Sequence, residues 1–358
     1  MSGFAVNMTG LAALSVLVRR AGDALTATSN HLGRAQFDAF GGVLAPLATT
    51  ARDIGAFQIG AINQAATLCA GNATAIDTAA AYYRVTDQRQ AAIFDTQQAR
   101  VAAPALTAPA GSCRAYADPR VPAGRLTEPP SYAQEMSWRP SIESDLGKVG
   151  PTIAWLIKQV FGVDVLQEIG EWLLSDWPEI RRIADRFNNA AWACADVATN
   201  LRAGISDAEQ DWRGNAAGQA LSWLEDLARA LDSAREQNAY LAENYQRLAD
   251  GFFELFTALV GLLGDWVNKL LLAAASGAAA GMAEEVPVLD VILDVNAGAR
   301  MWEAVRAGYD VYDTVTRAKD LAEAFIAALT IGQGALGDLR AQASPMPNAP
   351  WDTVFYPA

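Results

Sequence analysis

Residues 211–216 read DWRGNA, and on both sides of them the chain carries apolar side chains at helical spacing. On the N-terminal side Ile183, Phe187, Ala191, Cys194, Val197, Leu201 and Ile205 recur every three or four residues, which predicts a helix over about 178–209. On the C-terminal side Leu224, Leu227, Leu231, Leu241, Tyr245, Leu248, Phe252, Leu255 and Leu259 continue such a stripe and predict a longer helix over about 215–275. Two amphipathic helices separated by so short a break form an antiparallel hairpin. Gly214 then permits the tight turn, and the Trp212 indole can cover the open end of a helical bundle.

Outward from this hairpin, a second one is predicted at the N-terminus. A first helix over 5–33 carries Val6, Leu11, Leu14 and Val18 on one face and stops at Gly33. Residues 34–55 are mixed, with a short helix around 43–50, and a long helix follows over 56–98, with Phe57, Ile62, Ala65, Leu68, Ile76, Tyr83 and Ile93 as core positions. Prolines 104, 109, 119, 122, 129, 130, 140 and 151 then disfavour regular structure, and 100–150 reads as a linker. An apolar helix over 151–175 leads through Ser175-Asp176-Trp177-Pro178-Glu179 into the hairpin around DWRGNA. Beyond it SGAAAGMAEEVP breaks the pattern, one or two further helices cover 288–331, and the proline-containing tail is irregular.

The resulting fold class is all-α: two long antiparallel helical hairpins stacked as an elongated four-helix bundle, plus additional C-terminal helices. The divisions fall at 1–99, the N-terminal hairpin; 100–150, the linker; 151–275, the apolar helix with the second hairpin; 276–340, the C-terminal helical region; and 341–358, the tail.

Composition narrows the function. The chain has 358 residues, is 52% hydrophobic, and carries 40 acidic against 27 basic residues for a net charge of −13, so it can bury a large core and has no basic patch for nucleic acid. Anionic lipid headgroups would be repelled, so a membrane partner would have to be met by apolar surface. Phe252–Met282 is long enough to span a bilayer, but Glu254, Asp265 and Lys269 interrupt it. Phe252, Leu255, Leu259, Leu263 and Leu270 therefore read either as packing positions or as a membrane-active face within 252–331, the second implying a pore-forming or toxin-carrying effector. Cys69, Cys113 and Cys194 are too widely spaced for a metal site; a Cys69–Cys194 or Cys113–Cys194 bridge stays open beside buried free thiols. The N-terminus lacks the charged region of a cleavable signal peptide, because its Arg19-Arg20 pair follows the apolar stretch.

Catalysis finds little support. The single histidine, His31, sits near a helix end and reads as a surface or capping residue. No phosphate-binding loop, nucleophile elbow, zinc-binding HExxH or dinucleotide fingerprint occurs. The pairs Glu284-Glu285 and Asp290/Asp294 read as solvated acids. The expectation is a non-enzymatic protein with neither cofactor nor metal.

One further pattern completes the reading. Tyr82-Tyr83-Arg84-Val85-Thr86-Asp87 contains Y-x-x-x-D, and Tyr83 and Asp87, four apart, share a helical face. Trp-x-Gly between two amphipathic helices, together with Y-x-x-x-D in the other hairpin, resembles the W-x-G superfamily of helical hairpins exported by the type VII (ESX) secretion systems of actinobacteria and relatives. The first 95 or so residues look like the N-terminal hairpin of ESX secretion-associated proteins and PE domains, and 179–275 like the W-x-G end of PPE domains. This resemblance covers about half of the chain. It implies export without a cleavable signal to the cell surface or medium, recognition of Trp212, Gly214, Tyr83 and Asp87 by a secretion ATPase or chaperone, and assembly with a second copy or a small W-x-G protein. Antiparallel stacking of the hairpins would bring those four residues together. The long linker, the 151–175 helix and the 284–331 region depart from the minimal family.

Overall fold

The computed structural model describes residues 5–38, 40–41, 44–45, 47–98, 116–132, 177–275 and 295–342, and the statements below concern these. A two-residue strand β1 (Ala5–Val6) leads into α1 (Met8–Leu32), followed by α2 (Leu47–Gln98) and a single 3-10 turn at Pro122–Arg125. Then come α3 (Trp177–Asp211), a second two-residue strand β2 (Trp212–Arg213), α4 (Asn215–Ala275) and α5 (Val295–Gln342). The protein is all-α apart from the short antiparallel pairing of β1 with β2, in which Ala5 faces Arg213 and Val6 faces Trp212.

The two expected hairpins are present, α1 with α2 and α3 with α4, and α1 packs along α3 so that the hairpins stack into a four-helix bundle. The direction of packing is fixed by small residues. A Cβ on Gly22 of α1 would come within 3.1 Å of the Cys69 side chain on α2, and one on Gly204 of α3 within 2.8 Å of Leu17 on α1. These glycines set how closely the helices approach. Around them Leu14, Leu17, Val18 and Leu25 of α1 share one core with Ile62, Ala65 and Ile76 of α2, Phe187, Val197 and Leu201 of α3, and Leu224, Leu227 and Leu231 of α4. At about 25 cal/mol per Å² of apolar area removed from water, a core of this extent is the main term holding the bundle together.

Several boundaries differ from the sequence reading. The long helix α2 starts at Leu47, not at 56, because Leu47, Ala51 and Ile54 already lie on its buried face. The stretch 43–50 is therefore partly its first turn. Ala5 and Val6, read as helix, are strand, since their backbone pairs with the second hairpin's turn. Between 295 and 342 the chain forms one continuous helix. The expected 151–175 helix, the break at 276–287 and the tail beyond 342 lie outside the described residues.

Helix α4 spans 61 residues, roughly 90 Å at the α-helical rise, and outreaches α3. Arg181, near the start of α3, already pairs with Asp250, and around and beyond that level α5 covers α4, with Phe325 edge-on to Tyr245 and Leu321 against Gly251. By length and composition α4 could cross a membrane. Its stripe Phe252, Phe256, Leu259, Leu263, Trp266 and Leu270 is buried in the same core as Val311, Val315 and Ala318 of α5. Glu254, Asp265 and Asn268 face outward. Of the five positions singled out there, Phe252, Leu259, Leu263 and Leu270 are buried and Leu255 is half-buried against the core, a packing arrangement.

Candidate functional site at the W-x-G end of the bundle

The turn joining α3 to α4 occupies Trp212–Gly214 and is stabilised from outside its own hairpin. Gly214 has φ of 127°, a conformation that L side chains rarely adopt, and this lets the chain reverse within three residues. Its carbonyl then accepts the Gly218 N–H at 3.0 Å, in the first turn of α4. Trp212 is only 1% exposed, although it sits at a helix break. Strand β1 pairs alongside it, with Val6 directly opposite, so the N-terminal segment adds to the surroundings that the hairpin itself provides.

Asp211, the residue before the tryptophan, anchors this cover. Its carbonyl accepts the Asn7 N–H at 2.6 Å and its Oδ1 accepts Asn7 Nδ2 at 3.1 Å. Asn7 in turn caps α1, its Oδ1 accepting the Thr9 N–H at 3.1 Å. The start of α1 and the turn of the second hairpin are thus one hydrogen-bonded unit.

The remaining predicted residues belong to α2. Ser15 Oγ donates to the carbonyl of Ala73 at 3.0 Å, which fixes the antiparallel register of α1 and α2. Carried back along both helices, that register sets the start of α1 level with about residue 80 of α2. Tyr83 therefore lies about one turn from the level of the β1–β2 pair, at the same end of the bundle as Trp212 and Gly214. It is half-buried against the core, and Tyr82, more than half exposed, meets it edge-on with ring centroids 6.1 Å apart. The backbone of Asp87 follows one turn further along α2; its side chain lies outside the described residues.

An open groove of about 620 Å³ runs beside the turn, lined by Ile205, Trp212, Ala217, Gly218 and Leu221 with Glu209 and Glu225 at its rim. A Cβ on Gly218 would meet nothing within 4 Å. The groove combines this apolar floor with a mixed polar lining of Glu209, Arg213, Ser222 and Glu225, the last held by Arg202 at 3.1 Å. Among the described residues no group of three His, Cys, Asp or Glu side chains could hold a metal ion.

Sequence reasoning did not find the segment that ties this end to the other. Residues 116–132, within the stretch read as linker, lie along α3 as an ordered strap. Tyr116 bonds Asp211, the Arg120 backbone exchanges two 3.0 Å hydrogen bonds with the Asn200 amide, and Arg125 Nε reaches Asp196 at 2.8 Å. The Arg125 guanidinium also lies 5.5 Å over the Trp192 ring. Further down, the Thr127 carbonyl accepts from Asn189, Glu128 pairs with Arg182 and Arg186, and the Tyr132 hydroxyl donates to Asp185 at 2.7 Å. The local signal was restricted to polar residues at irregular spacing, whose partners lie in another element.

At the far end His31 is buried, not at the surface as expected, between α1, α3 and the strap. Burial, then Arg186, lowers its pKa, with Glu128 opposing and Arg34 adding to the lowering. Desolvation pushes the Glu128 carboxyl up, but Arg186 and Arg182 together hold it below the usual carboxylate range. Cys69 and Cys194 are free and buried, which excludes a bridge between them, and burial pushes both thiols up to about 12. Cys113 lies outside the described residues.

No protein-family model matches the chain, and no curated protein or solved structure is significantly similar to it.

Proposed function

We propose that this protein is a non-enzymatic substrate of a type VII (ESX) secretion system and a member of the W-x-G hairpin superfamily, recognised at the bundle end that carries Trp212, Gly214, Tyr83 and Asp87. The supporting observation is the register of the helices. Two motifs more than a hundred residues apart, Y-x-x-x-D on α2 and W-x-G between α3 and α4, fall at one end of one bundle. The groove beside Trp212 offers an apolar floor with polar edges of both charges, a surface for a helix or extended segment of the export ATPase or a chaperone. Packing of α1 on α3 buries both apolar stripes within one chain, so the four-helix core needs no small W-x-G partner. In this reading the exported protein acts through its helical surfaces at or beyond the cell envelope.

The test compares culture supernatant with cell pellet in a host possessing an intact type VII system, for wild type, Asp87→Ala and Trp212→Phe, with helix content and melting measured for each purified protein. Export of the wild type that falls at least tenfold in Asp87→Ala, while folding is unchanged, supports the reading. Equal export of all three proteins, or undiminished export from a strain lacking the secretion ATPase, overturns it.

A further inference from the structure

Two distant parts of the chain meet on Asp211 of α3. The Asn7 backbone and side chain occupy its carbonyl and Oδ1, as described above, and the Tyr116 hydroxyl donates to its Oδ2 at 2.8 Å. Tyr116 is itself held. It is 2% exposed, its carbonyl accepts Arg20 Nη2 at 2.8 Å, and the same guanidinium grips Asp118 through two N–H groups at 2.7 and 3.0 Å. A glycine makes room for the arrangement: a Cβ on Gly10 would lie 2.4 Å from Asp211 Oδ2.

A carboxylate with a different donor on each oxygen has its plane fixed, and a fixed Asp211 fixes the direction in which the chain leaves α3. The next residue is Trp212. We infer that Tyr116, acting through Asp211, is a positioning residue of the recognition end, and that the strap at 116–132 is a working part of that end. The tyrosine sets how the turn presents the groove beside Trp212, while β1 sets it from the opposite side. The functional half of this inference rests on the export reading; the positioning half stands on the geometry alone.

Tyr116→Phe removes one hydroxyl and leaves the buried ring, and Asp211 is half-exposed, so water can take up the vacated oxygen and the bundle stays folded. The experiment measures amide hydrogen exchange on the full chain, together with export, for wild type, Tyr116→Phe, Asp211→Asn and Asp87→Ala. The expected result in Tyr116→Phe and Asp211→Asn is at least a tenfold faster exchange at residues 212–215, unchanged exchange in the middle of α3 and α4, and a several-fold drop in export. Unchanged exchange at the turn overturns the positioning role. A loosened turn with full export, while Asp87→Ala is retained in the cell, overturns the functional half and leaves the export reading standing. Full export of all variants, Asp87→Ala included, sinks the export reading instead, and the exchange rates still decide whether Tyr116 holds the turn.

Discussion

Arg186 reaches from α3 to the C-terminal end of α1, where its Nη1 donates to the carbonyl of His31 at 3.1 Å. A helix end exposes carbonyls without intrahelical partners, and a guanidinium there satisfies one of them and favours the negative end of the helix dipole. The same arginine pairs with Glu128, so three elements share one buried cation.

This junction makes stability depend on pH. His31 has a lowered pKa in the folded state, so below about pH 6.5 the unfolded chain binds a proton that the folded chain resists, and stability falls as pH drops. Glu128, also lowered, adds a second loss once pH falls through the ordinary carboxylate range. The melting temperature should therefore decline between pH 7 and 5. His31→Gln should flatten that upper part of the profile and leave the decline at lower pH. Identical slopes in the two proteins between pH 7 and 5 would refute the assignment.

Replacing Gly214 by alanine should destabilise the protein by about 2 kcal/mol, because the turn demands a backbone conformation with φ of 127°. Gly218→Ala, where a Cβ meets nothing, serves as the control and should change stability by less than about 0.5 kcal/mol or stabilise slightly through helix propensity. Chemical denaturation of both variants checks this, and equal effects would count against a strained turn.

The bundle interior contains an amide cluster. Gln58 Nε2 donates to Gln237 Oε1 at 3.2 Å, Asn238 Nδ2 donates to the Ala234 carbonyl at 2.7 Å, and all three side chains are buried between α2 and α4. Gln58→Leu should cost about 1–3 kcal/mol by stranding Gln237. Converting Gln58, Gln237 and Asn238 to leucine together should recover most of that loss, since a cluster removed whole leaves no unpaired amide. Urea midpoints decide the matter, and a triple variant less stable than Gln58→Leu would contradict it.

Cys69 and Cys194 should resist thiol reagents in the folded protein. They are buried, with thiol pKa values of about 12, so almost no thiolate is available at neutral pH. In a Cys113→Ser background, maleimide labelling of native protein should be at least a hundredfold slower than in denaturant. Rapid native labelling would mean that the helices open at Cys69 or Cys194.

The helices were legible because their signal is local. The three-and-four spacing from Leu224 to Leu259 is sufficient to place α4 at 215–275, where it is found. The start of α2 was obscured by the glycine- and alanine-rich run 34–55, in which Leu47, Ala51 and Ile54 of the helix are buried alongside Phe37, Phe40 and Leu44 ahead of it and propensity gives little contrast. The strap could not be read at all. Arg125 meets Asp196 and Tyr116 meets Asp211 across 71 and 95 residues of chain, and no periodicity links such partners. Proline argues against helix and strand, and the strap is neither; it is ordered by side chains of another element.

At the proposed site the motifs were visible and their setting was not. Trp212 and Gly214 stand out as letters, yet the residue opposite the indole is Val6 in strand β1, and the residue before it is bonded by Asn7 and Tyr116. His31, a lone polar letter near a helix end, gave no hint of burial, because the groups enclosing it, Arg186 and Glu128, come from α3 and the strap.

The pairing of β1 with β2 has a consequence for the order of assembly during synthesis. Each hairpin can close over its own local connection, but the Asn7–Asp211 contact joins residues 204 apart, and closing so large a loop costs on the order of 5 kcal/mol beyond its fixed term. The residues of β1 therefore find their places late: some two hundred others must follow them before the tryptophan gains its pairing strand. A chain interrupted before the second hairpin presents the Tyr83 helix without the turn, and only the finished bundle displays both together.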